Sequence, residues 1–323
     1  MSAISPFGHK TLLQLVQQAC GELGIAKPNA VATNQDMLVQ QLLAQANREG
    51  REMHALGSRL DGWQMLRKEN VWQVASSGTC TANVSAGSNV IALTSTPAVM
   101  PQVGWGVSNS GVGLSGSYFN AQTYVTAVSG MNITVSNAAA STASGVTVGF
   151  AQWQYTLPSD IDMITPGTMF DRSMRWPMIG PVTPQEWQVL CSSINPTGPR
   201  RRFRIMSGTF DIFPIPGPTD TSTLVYEYYS NGWCQSSGGQ PQQDFAADTD
   251  TYLLDDDSMV LGIIWRFRRA KGLAWEDDFR AHQRAVDRAM GGQAGSRTLP
   301  LDATATGSLL LTTANIPDSG YGS

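Results

Sequence analysis

The residues able to do chemistry are scattered along the chain. His9, His54 and His282 fall in separate segments, and none has a second histidine at metal-ligand spacing, so each is expected on a surface or a helix face. Cys20, Cys80, Cys191 and Cys234 lie far apart with no C-x-x-C pair. That pattern suits small buried hydrophobes in a reducing cytoplasm better than a disulfide or metal framework. Gly111-Val112-Gly113-Leu114-Ser115-Gly116 spaces its glycines loosely like a dinucleotide loop, but no helix follows it, which predicts an ordinary loop. No G-x-S-x-G elbow occurs. Carboxylates crowd between Asp244 and Asp257, yet Asp248-Thr249-Asp250-Thr251 lacks the sixth-position glycine and closing glutamate of a calcium loop. No catalytic residue, cofactor or metal site is expected, and an enzyme is the least favoured class.

Two basic clusters remain. In Arg200, Arg201, Arg202 and Arg204, strand alternation puts Arg202 and Arg204 on one face. The cluster is a solvated strand face, meets acidic surface on a neighbouring subunit or partner, or, as the least favoured reading, contacts DNA. Arg266, Arg268, Arg269 and Lys271 point in several directions around a helix that also carries Asp255 to Asp257, which suggests ion pairing between subunits. Trp63, Trp72, Trp153, Trp176, Trp187, Trp233, Trp265 and Trp275 flank element boundaries and are expected to be core anchors. Only Trp105, Tyr118 and Tyr124 are left as a sugar-stacking platform.

The elements that position these residues follow from periodicity. Leu12, Leu13, Val16, Ala19, Cys20 and Leu23 repeat at three and four, predicting a helix stopped by Gly24. Thr33 and Asp36 resemble a capping box ahead of a longer amphipathic helix reaching about Gly57. From Asn70 to Ser159 there is no Asp, Glu, Lys, Arg or His. Within that stretch 90–94, 124–128, 133–135 and 146–150 alternate like strands, with a Ser129-Gly130 hairpin turn, which reads as a small sandwich or barrel. Thr183-Pro184-Gln185-Glu186 opens a short helix. A hairpin follows at 202–206 and 209–213 across Ser207-Gly208, then a strand over 222–229. Asp255 to Asp257 open a long helical region to Met290 with a kink at Gly272. Beyond Arg297 the chain is polar, with isolated Leu299, Leu301, Leu309, Leu310 and Leu311.

The fold class is α+β: a helical bundle with a small β part, plus an inserted all-β sandwich- or barrel-like domain. The division is 1–74 with 153–292 as core, 75–152 as inserted domain, and 293–323 as an extended tail. Charged residues are 14% of the chain, against roughly 25% in typical soluble domains, so Ser, Thr, Asn and Gly must solvate the charge-free stretch. A net charge of −4 argues against a dedicated nucleic-acid binder. No signal-peptide core and no apolar run of membrane-spanning length occurs, so the chain is expected to be made in the cytoplasm.

Five phrases then combine in order: Gln45 to Glu52, Tyr155 to Asp160, Ile179-Gly180-Pro181 running into Pro184 to Trp187, Phe203 to Pro214, and Trp265 to Leu273. In this order they resemble the head-to-tail adaptors of short-tailed phages, the tail tubular protein A-like family, over roughly 10–72 and 153–300. The resemblance leaves the charge-free stretch unassigned. It implies a virion subunit forming a ring, usually twelvefold, between the portal and a tail tube or nozzle protein, with DNA passing through without specific binding. It also implies that the C-terminal segment with Leu299, Leu301, Leu309, Leu310 and Leu311 lodges on the portal. The alternative is a tail-associated binding module whose inserted β domain contacts host glycan or a tail fibre.

Overall fold

A computed structural model describes residues 9–59, 63–108, 118–120, 122–192 and 200–293. The architecture mixes helices with antiparallel sheets. Helix α1, Leu12–Leu23, starts at a capping box in which Thr11 and Gln14 exchange side-chain and backbone hydrogen bonds, and it stops at Gly24 in the left-handed region (φ 68°). Its Leu12, Val16, Ala19 and Cys20 are buried, as the spacing predicts; Leu15 joins them, and the expected Leu13 and Leu23 are half-buried. Helix α2, Met37–Arg59, begins three residues later than the Thr33 signal implies. The expected Thr33–Asp36 box does not form; Asp36 itself caps the helix by accepting from Leu38 N at 2.9 Å.

Strand β1, Arg67–Gln73, opens on three consecutive charged residues and was missed by the hydrophobic pattern. Six strands then occupy the charge-free stretch: β2 Ser76–Val84, β3 Val90–Leu93, β4 Gly106–Val107, β5 Val125–Ser129, β6 Asn132–Val135 and β7 Ala143–Ala151. They form one antiparallel sheet in the order β4-β7-β2-β3-β6-β5. Val107 N donates to Thr123 O (2.8 Å) and Val125 N to Trp105 O (2.7 Å), so hydrogen bonds also join the two strands at the ends of that path. Ile91, Trp105, Val107, Val125, Ile133 and Phe150 are the heart of a hydrophobic cluster confined to this stretch. Gly130 (φ 57°) makes the turn between β5 and β6.

After this sheet come β8 Gln154–Thr156, β9 Ile161–Ile164, β10 Phe170–Asp171 and β11 Trp176–Pro177, then helix α3, Pro184–Ser192. The capping box at its start forms as predicted: Glu186 N donates to Thr183 Oγ1 (3.2 Å) and Thr183 N to Glu186 Oε2 (2.9 Å). The hairpin β12 Arg202–Met206 and β13 Thr209–Phe213 turns at Ser207-Gly208, both at positive φ. Strand β14, Thr223–Ser230, lies between β1 and β10 and also pairs with β9, so it ties the sequence before the charge-free stretch to the sequence after it.

The expected single helix to Met290 is two. Helix α4, Asp256–Ala270, is capped by Asp255, and helix α5, Glu276–Gln293, starts after a break at Gly272, whose φ of 72° lies outside helical space. Trp265, Trp275 and Phe279 pack across that break. Helix α4 touches α1, α2 and α5, and the cluster they share takes in Trp63, Trp233, Phe245 and Tyr252. No helix among the described residues is long and apolar enough to cross a membrane.

Candidate subunit interface

The helical cluster holds a polar centre. Glu49, on the inner face of α2, is 0% exposed. Arg266 on α4 donates to it twice (2.9 and 2.6 Å) and also reaches Glu52 at 2.8 Å, while His282 Nε2 on α5 sits 2.6 Å from the other Glu49 oxygen. The Arg266 guanidinium lies over the Trp265 ring at 4.3 Å. Three helices therefore meet on one buried carboxylate. Sequence reasoning placed His282 on a surface or helix face; it is buried, because α5 folds back after Gly272 and carries it onto Glu49. No local pattern announces this, since the partners come from distant segments.

A buried charge is tolerable when it is paired and its hydrogen-bonding capacity is filled. Arg266 meets that condition inside the chain. Arg268 pairs with Asp278 of α5 at 2.5 Å, and Arg269 and Lys271 are exposed, over the rings of Trp275 and Phe267.

The other cluster divides in the same way. Arg201 pairs with Asp171 at 2.9 Å and with Asp220, and reaches Ser222 Oγ at 3.1 Å. Burial alone would raise the Asp220 carboxyl, but the Arg201 and Ser222 hydrogen bonds hold it below the ordinary carboxylate range. Arg204 bonds the fully buried Asp211 at 2.9 Å and stacks over Trp187 at 4.1 Å. Alternation holds here, with Phe203 buried between Arg202 and Arg204. Arg202 lines a groove of about 410 Å³ with Ile179, Pro181, Val182 and Val189. Arg200 is exposed above Trp176, which is itself 37% exposed and so not the core anchor expected. Of the eight cluster residues, Arg200, Arg202, Arg269 and Lys271 thus have no carboxylate partner among the described residues. Leu299, Leu301, Leu309, Leu310 and Leu311 lie outside those residues.

Other expected chemistry is absorbed by the fold. Asp248 accepts from Val31 N and Ala32 N, Asp250 from Ala246 N and Ala247 N, and Asp256 from Lys10 N, so the acidic run serves as loop and cap acceptors. Among the described residues, no three His, Cys, Asp or Glu side chains gather as metal ligands do. All four cysteines are free, and burial pushes their thiols up. Trp105 is buried in the β cluster, so it is unavailable for the sugar platform, whereas Tyr124 is exposed. Residues 111–116 lie outside the described residues.

The family SU10 adaptor protein matches residues 10–308. The chain belongs to that family. It is therefore a phage adaptor, a structural component of the virion in the head–tail adaptor class. The match spans the charge-free stretch, which the sequence resemblance left out. No curated protein matches the chain.

Proposed function

We propose that this chain assembles into a closed ring, twelvefold as the resemblance implies, that joins the portal to a tail tube or nozzle protein and lets DNA pass through its centre. Residues 75–152 form an inserted β domain on a core made of 1–74 and 153–292, and the segment after Gly292 attaches to the portal. The adaptor match across 10–308 carries this reading. The ion pairs support the passage of DNA without grip. Arg201, Arg204, Arg266 and Arg268 are neutralised by carboxylates of their own chain, which removes these four from the cations able to displace counterions from phosphate. The lumen is accordingly neutral to acidic.

Mixing the purified chain with its portal and imaging the product tests the reading. A symmetric ring on the portal with an open centre is expected, together with weak binding of duplex DNA at physiological salt. A monomer bound singly to the portal, or tight salt-sensitive DNA binding, would overturn it.

A further inference from the structure

We propose that a cleft between α2 and α4 receives a carboxylate side chain from a second copy of this chain, an inference that rests on the ring reading. The cleft encloses about 300 Å³ and is lined by Gln45, Arg48, Trp265, Arg266, Arg269 and Ala270. Three of its lining residues are arginines and none is a carboxylate.

Counting charges around the cleft leaves one cation unmatched. Arg48 pairs with Glu52 at 3.0 Å, and Arg266 pairs with Glu49 and Glu52. Two carboxylates thus pair with two of the three arginines on the cleft. Arg269, exposed over Trp275, has no ion pair among the described residues.

This balance favours a single carboxylate over nucleic acid. Phosphate backbones are held by several cations at once, and here Arg48 and Arg266 already have partners. The chain also supplies suitable acids. Glu22 on α1 and Asp287 on α5 are exposed and have no ion pair among the described residues. Both stand on helices other than those forming the cleft, as a head-to-tail contact between unlike surfaces requires. The net charge of −4 leaves carboxylates in excess over cations on every copy.

The test compares wild type with Arg269→Ala by sedimentation and native mass spectrometry, alone and on the portal. A photo-crosslinker at position 269 in a mixture of light and heavy copies identifies the neighbour. Self-association about fivefold weaker per contact is expected, as for an exposed ion pair, with crosslinks to the peptide carrying Glu22 or Asp287 of another copy. If the wild type assembles and Arg269→Ala assembles equally well, or the crosslinks go only to DNA or another protein, the cleft proposal falls and the ring stands. A wild type that never self-associates, alone or on the portal, removes the ring reading and this proposal together.

Discussion

Gly262 on α4 and Glu49 on α2 are in contact so close that a Cβ on Gly262 would lie 2.3 Å from the Glu49 carboxyl carbon. The missing methyl is what lets a buried carboxylate reach Arg266 and His282 at once. Glu49 cannot swing aside without giving up both hydrogen bonds from Arg266 and the contact to His282, so the neighbour that would have to give is held in place. Gly262→Ala gains about 1 kcal/mol of helix propensity but forces overpacking that costs about 1–3 kcal/mol. A lower denaturation midpoint is expected. A midpoint raised by the substitution would mean that the Glu49 side chain relocates freely.

Removing the carboxylate itself is more severe. Glu49→Ala leaves the Arg266 guanidinium, whose side chain is 6% exposed, with only the half-exposed Glu52 as a partner, and breaks the contact to His282. Loss of one partner of a buried pair costs about 3–5 kcal/mol. The double variant Glu49→Leu with Arg266→Met removes both charges, and should recover part of that loss. Urea denaturation of the single and double variants measures it; equal stability for Glu49→Ala and wild type would show that the pair contributes nothing.

Acid sensitivity has a source in Asp160, which joins β1 to the end of β14. Burial opposes its ionisation, yet hydrogen bonds from Lys68 (2.7 Å), Ser230 (2.8 Å) and Tyr228 (3.1 Å) hold its carboxyl below the ordinary range. A folded value below the unfolded one, about 3.9 for Asp, contributes stability that is complete above the unfolded value and is lost as pH falls through the folded one. Asp160→Asn should therefore be less stable than wild type near neutrality, with the gap closing in acid. Denaturation midpoints from pH 6 down to pH 2.5 read the gap, and a gap independent of pH would exclude this contribution.

Local signals were legible in the sequence and distant ones were not. Gly24, the Thr183–Glu186 box and the Ser207-Gly208 turn act through neighbours in the chain, and each stands where the sequence places it. The α4–α5 break was read only as a kink, because a helical stripe continues past Gly272 while the packing of Trp275 and Phe279 on Trp265 that reverses the chain is tertiary. Strand β1 escaped because its charges sit on a half-exposed ribbon paired with β14, and pairing leaves no trace in periodicity. In the candidate interface, the arginines were visible as clusters. Their division into buried structural ions and exposed cations depends on Asp171, Asp211, Asp220 and Glu49, which only the fold brings to them.

The segment after Gly292 gives a prediction that does not depend on its conformation. Helix α5 buries Ala285 and Val286 and places His282 on Glu49, all ahead of the truncation point. Truncation after Gly292 should leave the denaturation midpoint unchanged and weaken attachment to the portal. A pull-down titration compares the two chains, and equal affinity would remove the segment from the portal contact.

The charge-free stretch is expected to be removable. Gln152 N donates to Ala75 O at 2.8 Å and Ser76 pairs with Ala151, so the chain enters and leaves the stretch at one point and a short linker can bridge it. Its own cluster of Ile91, Ile133 and Phe150 keeps most of its apolar burial internal. Contacts outward are few and specific: Gly106 packs under Ile215, Gly149 under Pro218, Gly78 N donates to Pro218 O, and Trp153 Nε1 donates to Gly104 O. Deleting 75–152 exposes Ile215 and leaves the Trp153 indole without its acceptor, which lowers stability. It does not touch Glu49, Arg266 or the pairing of β1 with β14, which hold the remainder together. Circular dichroism should therefore keep the helical signal of α1, α2, α4 and α5, with a lower melting temperature. Loss of that signal would mean that the stretch is part of the core from which the helices draw their stability.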